Sequence, residues 1–235
     1  MTRGIELVGF DADDTLWHSE PYFQEAHAEF ERIVGRYIDL ADAGVHDRLL
    51  ATERENITLF GYGAKGMTLS MIETSIALTA ERISAADLHR IVALGKSILQ
   101  HPVELLPGVR EAVEAVAATH RVVLITKGDL FHQERKVAAS GMAGLFQRIE
   151  IVSEKDAASY ARLLREFAIA PGQFAMVGNS QKSDIAPVLA LGGWGIHVPY
   201  PLVWALERAE IDPAHPRFAS AANAAEVPAV LERWG

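Results

Sequence analysis

Short apolar runs alternate with helical segments through the second half of the chain. The runs RVVLIT (121–126), RIEIVS (148–153), FAMVG (174–178) and WGIHVP (194–199) are rich in the residues that buried strands favour. Helical patterns separate these runs, and Gly141 stands where the first of those helices would end. The alternation predicts a Rossmann-like α/β fold, in which a parallel sheet carries helices on both faces.

The first apolar run stands apart from the others. IELVGF (5–10) has the pattern of one more strand, yet residues 18–100 place their apolar side chains at helical spacing. The sequence therefore predicts an all-helical domain over 18–100, inserted into an α/β core made of 1–17 and 101–235. The alanine-rich tail from Ala219 is predicted to be the closing helix.

Composition excludes several classes of function. The chain carries 31 acids against 22 Lys and Arg, a net charge of −9 with no basic run, which argues against a nucleic-acid partner. An anionic substrate would need a local cation in such a protein. The absence of cysteine excludes disulfides and thiolate chemistry. With no membrane-length apolar stretch and no signal-like segment, we expect a cytoplasmic protein without a membrane partner.

Polar side chains follow four of the predicted strands. Asp11 and Asp13 come after the first, Thr126 ends the second, Lys155 follows the third and Asp184 follows the fourth. Ligands of open parallel sheets bind at the carboxyl ends of the strands, so these groups are expected to meet. Acids after one strand are equally well explained as turn residues or helix caps. The full set favours nucleophilic attack on an anionic group beside a metal.

The segment FDADDTLW resembles the first motif of the haloacid dehalogenase (HAD) superfamily, Asp-x-Asp-x-Thr after an apolar strand. The later motifs match in order, with Thr126 in LITKG, Lys155 in SEKD and the acidic loop VGNSQKSD. That family also inserts a helical cap between its first two motifs, so the resemblance spans the chain. It implies a cap over residues 18–100 that closes over small substrates.

The resemblance also implies a phosphate-ester hydrolase that works in two steps. Asp11 would attack phosphorus and form an aspartyl-phosphate. Asp13 would protonate the departing oxygen and then accept a proton from the hydrolytic water. Thr126 and the backbone amides of Lys127 and Gly128 would hold the transferring oxygens.

A magnesium site follows from the same resemblance. Mg²⁺ would be held by Asp11, by the backbone carbonyl of Asp13, and by Asn179 or Asp184, directly or through water. Lys155 would pair with Asp11 and supply part of the positive charge. Asn179 stands where the family usually has an aspartate, and its amide oxygen can ligate Mg²⁺ without adding charge. Direct ligation at this loop therefore stays open.

The second acid separates the branches of the family. HAD dehalogenases lack it because a leaving halide needs no proton, so Asp13 favours phosphatase or phosphomutase chemistry. We expect a phosphatase acting on a small phosphorylated metabolite, because a closing cap would fit large substrates poorly. A phosphomutase on the same core is one alternative. A non-catalytic phosphate-binding relative, suggested by Asn179, is another, and a dehalogenase is the least favoured. The sequence does not choose the substrate or the oligomeric state.

Two further features receive no catalytic role. Asp14 stands where many relatives have glycine, and it either bonds the following turn or stays solvated. GYGAKG (61–66) spells the dinucleotide pattern G-x-G-x-x-G, but that fingerprint needs a strand before it. Helical or irregular sequence precedes it here, so we expect a loop of the helical domain.

Overall fold

The computed structural model describes residues 4–234, apart from the side chains of residues 42 and 43. The chain divides into two units: Met1–Glu20 together with Val103–Gly235, and Pro21–Pro102. The sequence placed these boundaries after residues 17 and 100. Within the described residues, no helix is both long and apolar enough to cross a membrane.

The first unit is built on a parallel sheet with helices around it, which confirms the predicted α/β fold. The strand order is β3-β2-β1-β4-β5-β6, and every strand pair is parallel. The strands are β1 (Leu7–Phe10), β2 (Arg121–Lys127), β3 (Arg148–Val152), β4 (Phe174–Gly178), β5 (Trp194–His197) and β6 (Phe218–Ser220).

Helices lie between most of these strands and run through the second unit. Within the described residues they are α1 (Glu20–Val34), α2 (Leu40–Ala43), α3 (Val45–Phe60), α4 (Ala64–Leu78), α5 (Ala85–Gln100), α6 (Val109–Ala117), α7 (Leu130–Ser140), α8 (Ala157–Phe167), α9 (Ala186–Ala190) and α10 (Val227–Glu232). A five-residue π-helical turn, Gln181–Ile185, precedes α9.

The sheet buries apolar side chains on both faces because successive residues of a strand point in opposite directions. Val8 belongs to a core cluster with residues of α6 and α10, whereas Leu7 belongs to a second cluster with residues of α8. Gly9 allows β1 to lie close to β4, since a Cβ there would stand 2.9 Å from the Met176 sulfur and the Phe174 ring. The central strand is therefore completely buried.

The helical unit has an apolar core of its own, centred on side chains such as Phe30, Met71 and Ile91. Gly61 and Gly63, with φ of 72° and 106°, turn the chain from α3 into α4. A helix rather than a strand precedes this loop, so the dinucleotide interpretation is excluded as expected.

The carboxyl-terminal tail corrects one prediction. The helix expected from Ala219 is wrong at its start, because β6 lies there and α10 begins only at Val227. The Gly195 N–H donates to the Arg217 carbonyl, and the Ala221 N–H donates to the His197 carbonyl, each at 2.9 Å. Pairing with β5 thus outweighs the helix propensity of alanine, a tertiary effect that local sequence does not reveal.

Candidate active site

The carboxyl ends of β1, β2 and β4 are adjacent, because β1 lies between the other two. The Asp11 N–H donates to the Val177 carbonyl at 2.9 Å and extends the β1–β4 pairing by one residue. The side chains that follow these strands therefore start from one edge of the sheet. Asp11 and Asp13 follow β1, Thr126 and Lys127 end β2 and Gly128 follows it. Lys155 follows β3, and the metal-loop pair Asn179 and Asp184 follows β4.

Lys155 joins two of the predicted site residues. Its ammonium forms a short bond with Oδ1 of Asp11 and lies 2.7 Å from Oδ1 of Asp184. The three side chains are almost completely buried, with Lys155 2% exposed. Burial alone would lower the pKa of Lys155, but the two carboxylates outweigh it and hold that pKa above its usual value.

Asp184 is the most deeply buried acid of the site. Burial, followed by the nearby Asp11 carboxylate, raises the pKa of Asp184 above its usual value. Its Oδ2 accepts the Ser180 N–H at 3.0 Å. Gly178 makes room for it, since a Cβ at that position would overlap the carboxylate. The π-helical turn therefore places an acid directly against the end of β4.

Thr15 connects Asp11 to the loop after β4. Its hydroxyl lies 2.9 Å from Asp11 Oδ2 and 3.3 Å from Asn179 Oδ1, and it accepts the Asn179 N–H at 3.0 Å. A hydroxyl has one proton, so the shorter contact assigns it to Asp11. The structure thus brings Asp11, Lys155, Asp184 and Asn179 together, and it adds Thr15 as a link.

Asp13 is held by donors that the sequence did not identify. Lys136 Nζ lies 2.6 Å from its Oδ1 and 2.7 Å from its Oδ2. Trp17 Nε1 donates to Oδ1 at 2.7 Å, and Gln133 Nε2 donates to Oδ2 at 2.9 Å. Partial burial would raise the pKa of Asp13, but Lys136 and then the hydrogen bonds of Gln133 and Trp17 hold it below its usual value. The side chain keeps 28% of its surface exposed.

Gln133 also reaches the predicted phosphate-binding segment after β2. Its Nε2 lies 3.1 Å from the Thr126 hydroxyl and 2.8 Å from the Lys127 carbonyl. Gly128 has a φ of 140°, and a Cβ there would stand 3.0 Å from the same nitrogen. The amide of Gln133 therefore ties Thr126, Lys127 and Asp13 into one cluster.

The Lys127 side chain belongs to a second network, which the sequence missed. Its Nζ lies 2.6 Å from Glu207 Oε1 and 2.8 Å from Ser183 Oγ. The Ser180 and Ser183 hydroxyls donate to Glu207 Oε2 at 2.6 and 2.5 Å. Burial would raise the pKa of Glu207, but Lys127 and the two hydroxyls hold it below its usual value. Glu207 thus links the end of β2 to the π-helical turn.

Asp14 has a structural role. Of the two alternatives that the sequence left open, a hydrogen bond to the following turn or a solvated side chain, the structure shows the hydrogen bond. Its φ of 61° is left-handed, the conformation that glycine adopts most readily. Its carboxylate accepts the Ser19 N–H at 2.9 Å and the Glu20 N–H at 3.0 Å, at the start of α1. Burial and then the neighbouring Asp13 raise the pKa of Asp14 to about 8.

Comparisons with known proteins give a consistent picture. A family model for haloacid dehalogenase-like hydrolases matches residues 5–192. A crystal structure of a haloacid dehalogenase-like family hydrolase from Xanthomonas campestris is 52% identical to this chain, with a TM-score of 0.90. The alignment covers 99% of this chain and 96% of that one. A search of curated proteins finds no match.

More distant structures share the fold alone. A 2-haloacid dehalogenase from Pseudomonas syringae pv. Tomato DC3000 is 21% identical, with a TM-score of 0.63 over 98% of this chain and 100% of that one. A predicted phosphoglycolate phosphatase from Haemophilus somnus 129PT is 19% identical, with a TM-score of 0.64 over 98% and 99%. Their descriptions name different reactions, so the fold does not select one of them.

Proposed function

Because the chain belongs to the haloacid dehalogenase-like hydrolases, we propose that it is a phosphatase acting on a small phosphate monoester through an aspartyl-phosphate. The observation that carries this proposal is the second carboxylate, Asp13, which lies two residues after Asp11 in the sequence. Three side-chain donors, from Trp17, Gln133 and Lys136, hold this carboxylate in place. An alcohol leaving group needs a proton as it departs, whereas a halide does not. A carboxylate held in this way serves ester hydrolysis and has no use in dehalogenation.

In the proposed first step, an oxygen of Asp11 attacks phosphorus, and the bond between phosphorus and the ester oxygen breaks. The departing oxygen takes a proton from Asp13 and leaves as a neutral alcohol. Lys155 and Thr15 each bond to one oxygen of Asp11. They hold the nucleophile in one orientation, which reduces the entropic cost of in-line attack.

In the proposed second step, water attacks the phosphorus of the aspartyl-phosphate and the bond to Asp11 breaks. The Asp13 carboxylate takes the proton of that water, and phosphate is released. The lowered pKa of Asp13 favours the carboxylate that this step uses. A bound phosphate dianion acts in the opposite direction, because a neighbouring negative charge raises the pKa of a carboxyl group. That effect favours the acid form in the first step.

We propose Mg²⁺ as the cofactor, held by Asp11, the backbone carbonyl of Asp13, Asn179 and Asp184. Carboxylate, amide and carbonyl oxygens are hard ligands and fit this ion. When bound, Mg²⁺ would neutralise charge on the phosphoryl oxygens. Among residues 4–234, no group of three or more His, Asp or Glu side chains is gathered to hold a metal. Binding would therefore rest on two carboxylates supplemented by neutral oxygens.

The proposed substrate is a small phosphorylated metabolite, with neither nucleic acid nor a membrane as a partner. The net charge of −9 disfavours polyanions. Lysines 127, 136 and 155, by contrast, place three cations among the carboxylates at the carboxyl ends of the strands. Local cations in an acidic protein suit one small anion better than an extended anionic surface.

Phosphate release from a panel of phosphate esters tests the proposal. The wild type, Asp11→Asn and a control, Asp47→Asn at an exposed position of α3, are compared with Mg²⁺ and with a chelator. We expect the chelator to abolish turnover, Asp47→Asn to leave it unchanged, and Asp11→Asn to lower it about 10³-fold or more. Hydrolysis that Asp11→Asn leaves intact would overturn the proposed mechanism.

A further inference from the structure

We propose that Lys136 is a positioning residue that fixes the Asp13 carboxylate in the orientation required at the leaving oxygen. The inference rests on the proposed phosphatase function, in which Asp13 gives the leaving group its proton. Lys136 lies on α7, outside the segments in which the sequence identified site residues.

The local structure of α7 aims Lys136 at Asp13. The Asp129 side chain caps the helix by accepting the His132 N–H at 2.9 Å, which fixes where the helix begins. Gln133 and Lys136 are three residues apart and therefore lie on one face. Both reach the Asp13 carboxylate from that face, Gln133 at one oxygen and Lys136 at both.

The contact removes the rotational freedom of the carboxylate. The terminal torsion of an aspartate is broad when nothing restrains it. Lys136 contacts both oxygens almost equally, at 2.6 and 2.7 Å, and Trp17 Nε1 donates to Oδ1 as well. The plane of the group is thus set before substrate arrives, which is how preorganisation accelerates a proton transfer.

Two observations favour a functional role for Lys136 over a purely structural one. In the described part of the chain, the side-chain hydrogen bonds of Lys136 go to Asp13 alone. Asp13 in turn keeps 28% of its side chain exposed, while Lys136 is only 11% exposed. The lysine therefore stands behind the carboxylate and leaves part of it open to a ligand.

A leaving-group comparison tests the proposal. The wild type, Lys136→Met, Lys136→Arg and the control Lys96→Met, at an exposed position of α5, are assayed on two esters. One is p-nitrophenyl phosphate, whose leaving group departs without a proton, and the other is a primary alkyl phosphate, which needs one. Circular dichroism confirms that each variant is folded.

For Lys136→Met we expect kcat/KM, which reports the steps up to departure of the leaving group and not the hydrolysis of the aspartyl-phosphate, to fall about 10²-fold on the alkyl ester and less than about tenfold on the aryl ester. Lys136→Arg restores most of the alkyl activity, because it returns a cation to both oxygens. Lys96→Met behaves as wild type. Equal losses on both esters, or no loss on the alkyl ester, overturn the positioning role. A wild type that turns over neither ester more than Asp11→Asn overturns the phosphatase function itself.

Discussion

Replacement of Lys155 by methionine tests whether this lysine holds together two carboxylates that would otherwise repel each other. Its ammonium bonds to Asp11 and to Asp184, whose side chains are only 9% and 1% exposed. Lys155→Met keeps the unbranched chain as far as Cε but leaves both acids buried without their cation. Loss of one partner of a buried ion pair costs about 3–5 kcal/mol. We expect a loss of that size in the free energy of unfolding at pH 8.

The loss should depend on pH with a definite sign. Without the ammonium, burial and the nearby Asp11 carboxylate favour the neutral form of Asp184 unopposed, so its folded-state pKa lies above the unfolded one. The pKa of Asp184 is already raised by burial with Lys155 in place. Such groups stabilise the fold below the unfolded pKa and lose that contribution as pH rises through the folded pKa. Lys155→Met should therefore lie closer to wild type at pH 5 than at pH 8.

Urea unfolding in chelator, followed by tryptophan fluorescence, measures this effect. Tryptophans 17, 194, 204 and 234 all belong to the α/β unit, so the signal reports on that unit alone. The double variant Lys155→Met/Asp184→Asn should be more stable than Lys155→Met at pH 8, because one of the two like charges is gone. A loss below about 1 kcal/mol, within the range of ordinary substitutions, or equal losses at both pH values would refute the reasoning.

Three further substitutions test other contacts of the site. Gly128→Ala places a Cβ 3.0 Å from Gln133 Nε2 at a φ of 140°, and urea unfolding should show a loss of about 1–3 kcal/mol. Glu207→Gln weakens the pair with Lys127, and calorimetry should show Tm lowered by about 2–4 °C, or roughly 1 kcal/mol, while the exposed Glu210→Gln leaves it unchanged. Asn179→Asp adds a charged oxygen and should tighten Mg²⁺ binding roughly tenfold in titration calorimetry. An unchanged affinity would mean that this side chain does not ligate the ion.

The sequence could predict the residues that stand directly at strand ends. Parallel strands bring their carboxyl ends to one edge whatever lies between them. For this reason Asp11, Thr126, Lys155 and Asp184 could be grouped from strand patterns alone. The structure joins Asp11 and Asp184 through Lys155, and it joins Thr126 to Asp13 through Gln133. The chemical roles of these four residues are defined only with a bound substrate, so they stay predictions.

The residues that orient this set could not be predicted. Gln133 and Lys136 carry the three-residue spacing of any solvated helix face, and only the docking of α7 directs them to Asp13. Glu207 ends a three-residue 3-10 helix, Ala205–Glu207, between β5 and β6, which is too short for a periodic pattern to mark a position. Each depends on contacts between residues distant in sequence, about 80 positions apart for Glu207 and Lys127.

The charges at this edge make the clearest argument for a divalent cation. Four carboxylates and three ammonium groups meet there: Asp11, Asp13, Asp184, Glu207, Lys127, Lys136 and Lys155. Glu154 also approaches Lys127 at 3.5 Å, but it is 45% exposed and largely screened by solvent. With these groups ionised, the edge has one more negative than positive charge before a substrate binds. A phosphate dianion would increase that excess among side chains that are mostly buried, where unbalanced charge is costly. A divalent cation that arrives with the substrate would cancel the added charge, so substrate affinity should depend steeply on Mg²⁺ even in Asp11→Asn, where we expect turnover to be slowed about 10³-fold or more.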